Sequence, residues 1–316
     1  METLLQSVNS VAPVFLIIAL GAVLRRTGFM SAQLQEGATR LCYWVGLPLV
    51  LFHKLVNASL SWGQAGKSYL VILSGMFACI LIALLLSRAL KLPSALAGSL
   101  IHAGYRGNCA FVGLSVIMYA FSSNGDGPGA VAAGALAAVV LGLIVPTYNI
   151  TAVIVMLLGS HGLKAGAIGK MVWKIATNPL LLASVAGIAF SLMGLKLPYV
   201  LDRTIKTTGS FTLPLALLCV GGALASARIR GKLLLSSLAA VIKVAVAPAA
   251  GYLAARAMGM GAMETAVPMI FLATPTAVAT YIMTDQLGGD GELAANTIVI
   301  STFLSIVSLG LAVALV

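Results

Sequence analysis

The strongest constraint on this chain is that it repeats itself within an apolar sequence. Displaced by 166 positions, its punctuation recurs: Pro13 falls on Pro179, Gly21 on Gly187, Gly28 on Gly194, and Leu47-Pro48-Leu49 on Leu213-Pro214-Leu215. Of its 316 residues, 60% are hydrophobic and 9% charged, more apolar material than a water-facing surface tolerates. Roughly 20 apolar residues carry a helix across about 30 Å of hydrocarbon. Ten such stretches stand near residues 11–24, 38–56, 68–87, 95–121, 130–158, 178–195, 207–226, 233–258, 265–284 and 292–316. Each copy of the repeat thus holds five spans, and because five is odd the second copy enters the bilayer from the opposite side. The expected fold is an all-α polytopic membrane protein with ten transmembrane helices in two inverted five-helix repeats. Residues 1–158 form the first (spans 1–5) and 159–316 the second (spans 6–10).

A net charge of +11 invites a nucleic-acid reading, but the basic residues stand singly between apolar runs rather than on an arm or stripe, so nucleic acid is not an expected partner. They read as topology signals. With the amino terminus outside, the cytoplasmic loops carry Arg25, Arg26, Arg40, Arg88, Lys91, Lys164, Lys170, Lys174, Arg228, Arg230 and Lys232. The opposite loops carry Lys54, Lys67, Lys196, Arg203, Lys206 and Arg256. Eleven against six follows the positive-inside rule and predicts a multi-pass protein of the plasma (inner) membrane with both termini outside. Residues 1–10 hold Glu2 and no basic side chain, unlike a secretory leader, so the first span is expected to be kept. Cys42, Cys79, Cys109 and Cys219 lie within expected helices without C-x-x-C spacing, which indicates neither disulfides nor zinc. The join near residues 159–177 is too short for a domain and reads as a cytoplasmic linker.

The fourth and ninth spans are interrupted. Residues 103–115 (AGYRGNCAFVGLS) set Gly104, Gly107 and Gly113 around Arg106 and Asn108; residues 273–285 (ATPTAVATYIMTD) set Pro275 between Thr274 and Thr276. Helix breakers free backbone groups that must find partners or line an enclosed cavity in lipid. Asn108 lies 166 positions before Thr274 and Ser115 165 before Thr280, so the interruptions correspond. Matched interruptions in repeated halves point to a midplane binding site.

Taken in order, PVFLIIALGAVLRRTGF, GLPLVLF, RGNCAFVGL, PTYN, NPLLLA, TLPLALL, Lys243 followed by Pro248, TPTAVATYIM and GGDGELAANTIVISTFLS cover nearly the whole chain. In that order and spacing they resemble the auxin efflux carrier family, in its compact bacterial members. The resemblance implies broken fourth and ninth helices crossing at mid-membrane. It also implies a scaffold of the first, second, sixth and seventh helices that can form a homodimer, and a mobile bundle of the other six. Family members move small organic acids, among them auxin in plants and malate or malonate in bacteria. Plant carriers carry G-[IL]-P at the crossing, whereas this chain has Ser115 after Gly113-Leu114 and Thr280 at the corresponding place. Gly107, Gly113 and Pro275 are then left to break the helices, and Ser115 and Thr280 are expected to add hydroxyls.

A charge at the bilayer centre is costly and normally faces a cavity or partner. Arg106 and Lys243 are the two candidates, and no carboxylate falls in the middle of any span. Fixed cations without fixed anions favour an anionic guest. Asn108 offers amide donors and an acceptor beside a helix break. Cys109 adjoins it, and Thr274, Pro275, Thr276, Ser115 and Thr280 complete the candidate substrate-binding set. His102 reads as interfacial. The function expected is secondary transport of a small carboxylate by alternating access, with H+, Na+ or the membrane potential alone as driving force. No enzymatic role, metal or cofactor is expected: the chain has no G-x-x-x-x-G-K-[ST], and His53, His102 and His161 stand apart from any acid or cysteine pair. A cation/proton antiporter of the same architecture is an alternative, disfavoured by the missing midplane carboxylate; a passive anion channel is another.

Overall fold

A computed structural model of the chain describes residues 2–56, 62–122, 128–159, 173, 176–227 and 231–315. Lys164, Lys170, Lys174, Arg228, Arg230, His161 and most of the join between the halves lie outside the described residues. Among the described residues every regular element is helical, and six helices are long and apolar enough to cross a membrane.

The first half opens with α1 (Glu2–Arg26), which ends on Arg25 and Arg26. A continuous run follows: α2 (Ala32–Leu41), a five-residue π turn at Cys42–Gly46, and α3 (Leu47–Val56). It begins before the expected residue 38 because Ser31 caps it, its side chain accepting from the Leu34 amide at 3.1 Å. Next come α4 (Trp62–Ala89), α5 (Ser94–Tyr105), a second π turn at Cys109–Gly113, α6 (Leu114–Ser122) and α7 (Pro128–Gly159). The second half holds α8 (Pro179–Leu192), α9 (Tyr199–Ser210), α10 (Thr212–Ser226) and α11 (Leu233–Val241). A third π turn at Ile242–Val246 leads to α12 (Ala247–Ala257), then α13 (Ala262–Ala273), α14 (Ala279–Gln286) and α15 (Gly291–Ala314). Arg203 and Lys206, expected on a loop, sit on the amphipathic helix α9, where Arg203 donates to the Tyr199 hydroxyl at 2.7 Å.

Two of the π turns share a local cause. Pro48 follows Gly46 by two residues and Pro248 follows Val246 by two. Proline has no N–H and its ring strikes the carbonyl four residues back, so widening the preceding turn removes the conflict.

Glycines fix the closest helix contacts. A Cβ on Gly21 would run into the Leu218 carbonyl where α1 meets α10. On Gly187 of α8 it would stand 3.1 Å from the Phe52 carbonyl of α3. Gly21 and Gly187 are 166 positions apart, and so are Phe52 and Leu218: the two contacts are one contact made twice, with the halves exchanged. Such small-residue seams let backbones approach where lipid supplies no hydrophobic drive.

Asp290 caps α15 through the Leu293 amide at 2.8 Å and pairs with Lys232 at the start of α11. Burial raises its carboxyl, but the Lys232 ammonium and the Leu293 amide prevail and hold it below the usual carboxylate range. A carboxyl depressed by folding adds stability that is present above its unfolded pKa and lost as pH falls through the folded value. Asp290→Asn is therefore expected to lower thermal stability at neutral pH, with the gap to wild type narrowing on acidification. A gap independent of pH would deny the ion pair this role.

Candidate functional site

Helix α5 stops at Tyr105 and α13 at Ala273, and the two stops meet. Arg106 (φ −78, ψ 103) and Thr274 (φ −64, ψ 152) turn the backbone into the extended region. Gly107 and Thr276 then pair as an isolated antiparallel bridge: the Asn108 amide donates to the Pro275 carbonyl at 2.8 Å and the Ala277 amide to the Arg106 carbonyl at 3.0 Å. Extended backbone inside a membrane protein must be satisfied internally, and here each break satisfies the other. The paired residues are 169 positions apart rather than 166, since α5 and α13 are themselves offset by 168. Thr276, not Thr274, is therefore the backbone partner of the first break, while the Thr274 side chain packs on it.

Side chains complete the polar pairing. The last carbonyls of a helix have no intrahelical partner. At the end of α13, the Phe271 carbonyl accepts from the Thr274 hydroxyl at 2.6 Å, Leu272 from the Lys243 ammonium at 2.6 Å and Ala273 from the Ser308 hydroxyl at 2.7 Å. In α5 the Ala103 carbonyl accepts from the Thr276 hydroxyl at 2.9 Å, and the Thr276 amide donates to the Ser301 hydroxyl at 3.0 Å. The ammonium of Lys243 thus sits at the negative end of a half-helix. Gly107 has to be glycine here: a Cβ would lie 2.6 Å from the Thr274 hydroxyl and 3.1 Å from Cε of Lys243. Gly113 is not in the break but closes the π turn, where a Cβ would lie 2.7 Å from the Phe271 ring. Ser115 follows Gly113 by two residues, the spacing of Pro48 after Gly46, and its hydroxyl donates to the Phe111 carbonyl four residues back at 2.6 Å. The Thr280 hydroxyl is buried without a hydrogen-bond partner.

Beside the crossing lies a cavity of about 80 Å³. Its walls are Arg106 to Phe111 from the first break and Ala277 to Ala279 from the second, with Val145 and Tyr148 of α7, Tyr43 of the first π turn and Leu180 of α8. Two helix starts thus open on one space, and the first amides of a helix lack intrahelical partners and carry positive partial charge. Arg106, 7% exposed, donates to Oδ1 of Asn149 at 2.8 Å and to the Met283 sulfur at 2.9 Å. No carboxylate lies within ion-pair distance of Arg106 or Lys243 among the described residues. Asn108 has both main-chain groups engaged, its amide with Pro275 and its carbonyl with the Val112 and Gly113 amides. None of the described hydrogen bonds uses its side chain, and Asn108 borders the cavity.

Of the residues singled out in the sequence, Arg106, Gly107, Asn108 and Cys109 border the cavity. Thr274, Pro275, Thr276, Thr280, Ser115, Gly113 and Lys243 lie in or behind the crossing without lining it. His102, expected near an interface, lies two turns into α5, fully buried within the protein, with Nδ1 3.0 Å from the Thr284 hydroxyl. Tyr43 and Leu180 escaped notice because each is an ordinary residue of an apolar span. The one available signal was the Asn178-Pro179 start of α8: Asn178 caps that helix and donates to the Tyr43 hydroxyl at 3.3 Å. Tyr148 and Asn149 belong to the PTYN run of the family resemblance, a pattern that packing and bundle hydrogen bonds explain equally well. Among the described residues no group of His, Cys, Asp or Glu could hold a metal ion.

Comparison with known proteins identifies the family. The family described as membrane transport protein matches residues 6–162 and 164–313. An uncharacterized transporter from Methanocaldococcus jannaschii is 23% identical over 310 residues, which span 94% of this chain and 95% of that protein. An all-helical, strongly apolar chain matched over both halves is an integral membrane protein, and it belongs to the membrane transport protein family of the auxin efflux carriers.

Proposed function

We propose that the chain is a secondary transporter of a small organic anion, a carboxylate such as malate, malonate or an auxin-like acid, working by alternating access at the crossing. One observation carries the proposal: two helix starts and the cationic residue Arg106 border one cavity, and no Asp or Glu is among its described lining residues. Preorganised amides and a cation in a low-dielectric space favour a carboxylate. The absence of a lining carboxylate argues against a cation/proton antiporter at this site.

The architecture proposed with it is ten membrane-crossing helices in two inverted repeats, residues 1–158 and 159–316, with both termini outside. The exchanged contacts of Gly21 with Leu218 and Gly187 with Phe52 support the two-fold relation. The cavity lies between the crossing and α7 on one side and the first π turn and α8 on the other, so movement of the crossing against α8 would open it alternately to the two faces. The packing of α1 on α10 and of α3 on α8 supports a static scaffold of the first, second, sixth and seventh spans, and a homodimer through those spans belongs to the same proposal.

The test is counterflow in proteoliposomes. Preloading with unlabelled malate or malonate should drive transient accumulation of labelled substrate, which a passive channel cannot do. Asn108→Ala should cut that uptake about tenfold, the loss of one hydrogen bond to a charged group, with unchanged amounts of folded protein in the membrane. Undiminished counterflow in this variant would remove the crossing from the transport path.

A further inference from the structure

A long apolar groove of about 1090 Å³ runs between α1, the end of α10 and α15, away from the crossing. On α1 it extends from Ser7 to Arg26, about 28 Å at 1.5 Å per residue, close to the thickness of the hydrocarbon. Its depth comes from small residues. Gly21 and Gly221 draw α1 and α10 backbone to backbone, and Ala19, Ala22 and Gly310 leave the facing trough without bulk. A Cβ on Gly310 would meet nothing within 4 Å. A hydrocarbon-facing trough of this size takes an acyl chain, because water has few polar groups there to bind.

The charge at its end selects among lipids. Arg25 is engaged within the protein, donating from Nε to the Ser226 hydroxyl at 2.8 Å and from its guanidinium to the Met30 carbonyl at 3.1 Å. Arg26, the next residue, is the charged side chain of the groove lining; it is exposed and enters no described hydrogen bond or ion pair. Ser7, at the far end of α1's lining, carries no charge, so the groove is apolar along its length and cationic at one mouth. That is the complement of a phospholipid with an anionic headgroup: chain along the trough, phosphate on the forked donors of an arginine. We propose that this groove is a binding site for an anionic phospholipid, held by its acyl chain between α1 and α15 and by its phosphate at Arg26.

The full chain, reconstituted in nanodiscs with equal amounts of phosphatidylglycerol and phosphatidylcholine and then extracted in mild detergent, tests this through the lipid that copurifies, counted by mass spectrometry. Phosphatidylglycerol should be retained about fivefold over phosphatidylcholine, the preference one basic residue near a lipid phosphate confers. Arg26→Gln, an exposed change with no packing to lose, should bring the two near parity while total retained lipid stays constant. Gly310→Trp, which fills the trough, should lower retention of both. Arg88→Gln, which removes an equal charge at the end of α4, should leave the preference intact. Equal retention in the wild type, a preference that survives Arg26→Gln, or one lost equally in Arg88→Gln would overturn the proposal.

Discussion

Arg106→Gln is expected to abolish carboxylate uptake to within about a tenth to a hundredth of wild type, because a hydrogen bond to a charged group contributes about 1.5–3 kcal/mol. The variant should still fold. Removing one member of a buried ion pair strands the other, but Arg106 has no carboxylate partner among the described residues; it donates to an amide oxygen and a thioether. Glutamine keeps a polar side chain beside Asn149 but withdraws the charge and the planar fork. Arg106→Lys should fall between the two, since it keeps the charge and loses the planar fork. Uptake of a carboxylate and of its neutral amide by the Gln variant separates the causes: the carboxylate should lose far more. Equal losses would make Arg106 a packing residue.

Gly107→Val is expected to cost both stability and transport. Its Cβ would meet the Thr274 hydroxyl at 2.6 Å and the Lys243 stem at 3.1 Å, and neither can retreat: the hydroxyl is tied to the Phe271 carbonyl and the ammonium to the Leu272 carbonyl. Either those hydrogen bonds break or the bridge to Thr276 opens, leaving extended backbone unpaired in the interior. Overpacking alone costs about 1–3 kcal/mol, so the melting temperature in detergent should drop measurably and counterflow should vanish. The smaller Gly107→Ala should be partly rescued by Thr274→Ala, which deletes the hydroxyl it strikes. Additive losses in that double-mutant cycle would show that the two residues are not in contact in the functional protein.

How far these features could be read from the residues depends on the range of the interaction behind them. The 166-residue register of the punctuation and the breaks after Tyr105 and Ala273 are periodic or local, so glycine, proline and charge within apolar runs are enough to mark them. The seam of Gly21 with Leu218 and Gly187 with Phe52 shares that register. The pairing of the breaks does not: the halves have slipped to an offset of 168 at α5 and α13, so alignment by sequence set Asn108 against Thr274, while the backbone pairs Gly107 with Thr276. Lys243 illustrates a second limit. Its charge within an apolar span marked it correctly as unusual, but its ammonium reaches the end of a half-helix, a partner 29 residues on that only the fold supplies. Ser115 illustrates a third, since a hydroxyl returned to the carbonyl four residues back looks, in a sequence, the same as one offered to a ligand.

The proposal that the crossing is exposed to each face in turn is tested most directly at Cys109, a native thiol that is 2% exposed and borders the cavity. With Cys42, Cys79 and Cys219 changed to alanine, an anionic, membrane-impermeant methanethiosulfonate is added to one face or the other of sealed vesicles. Labelling of Cys109 should proceed from both faces and be slowed from both by a transported carboxylate. Reaction from one face only, or at rates no carboxylate alters, would contradict a substrate site that opens in turn to the two sides of the membrane.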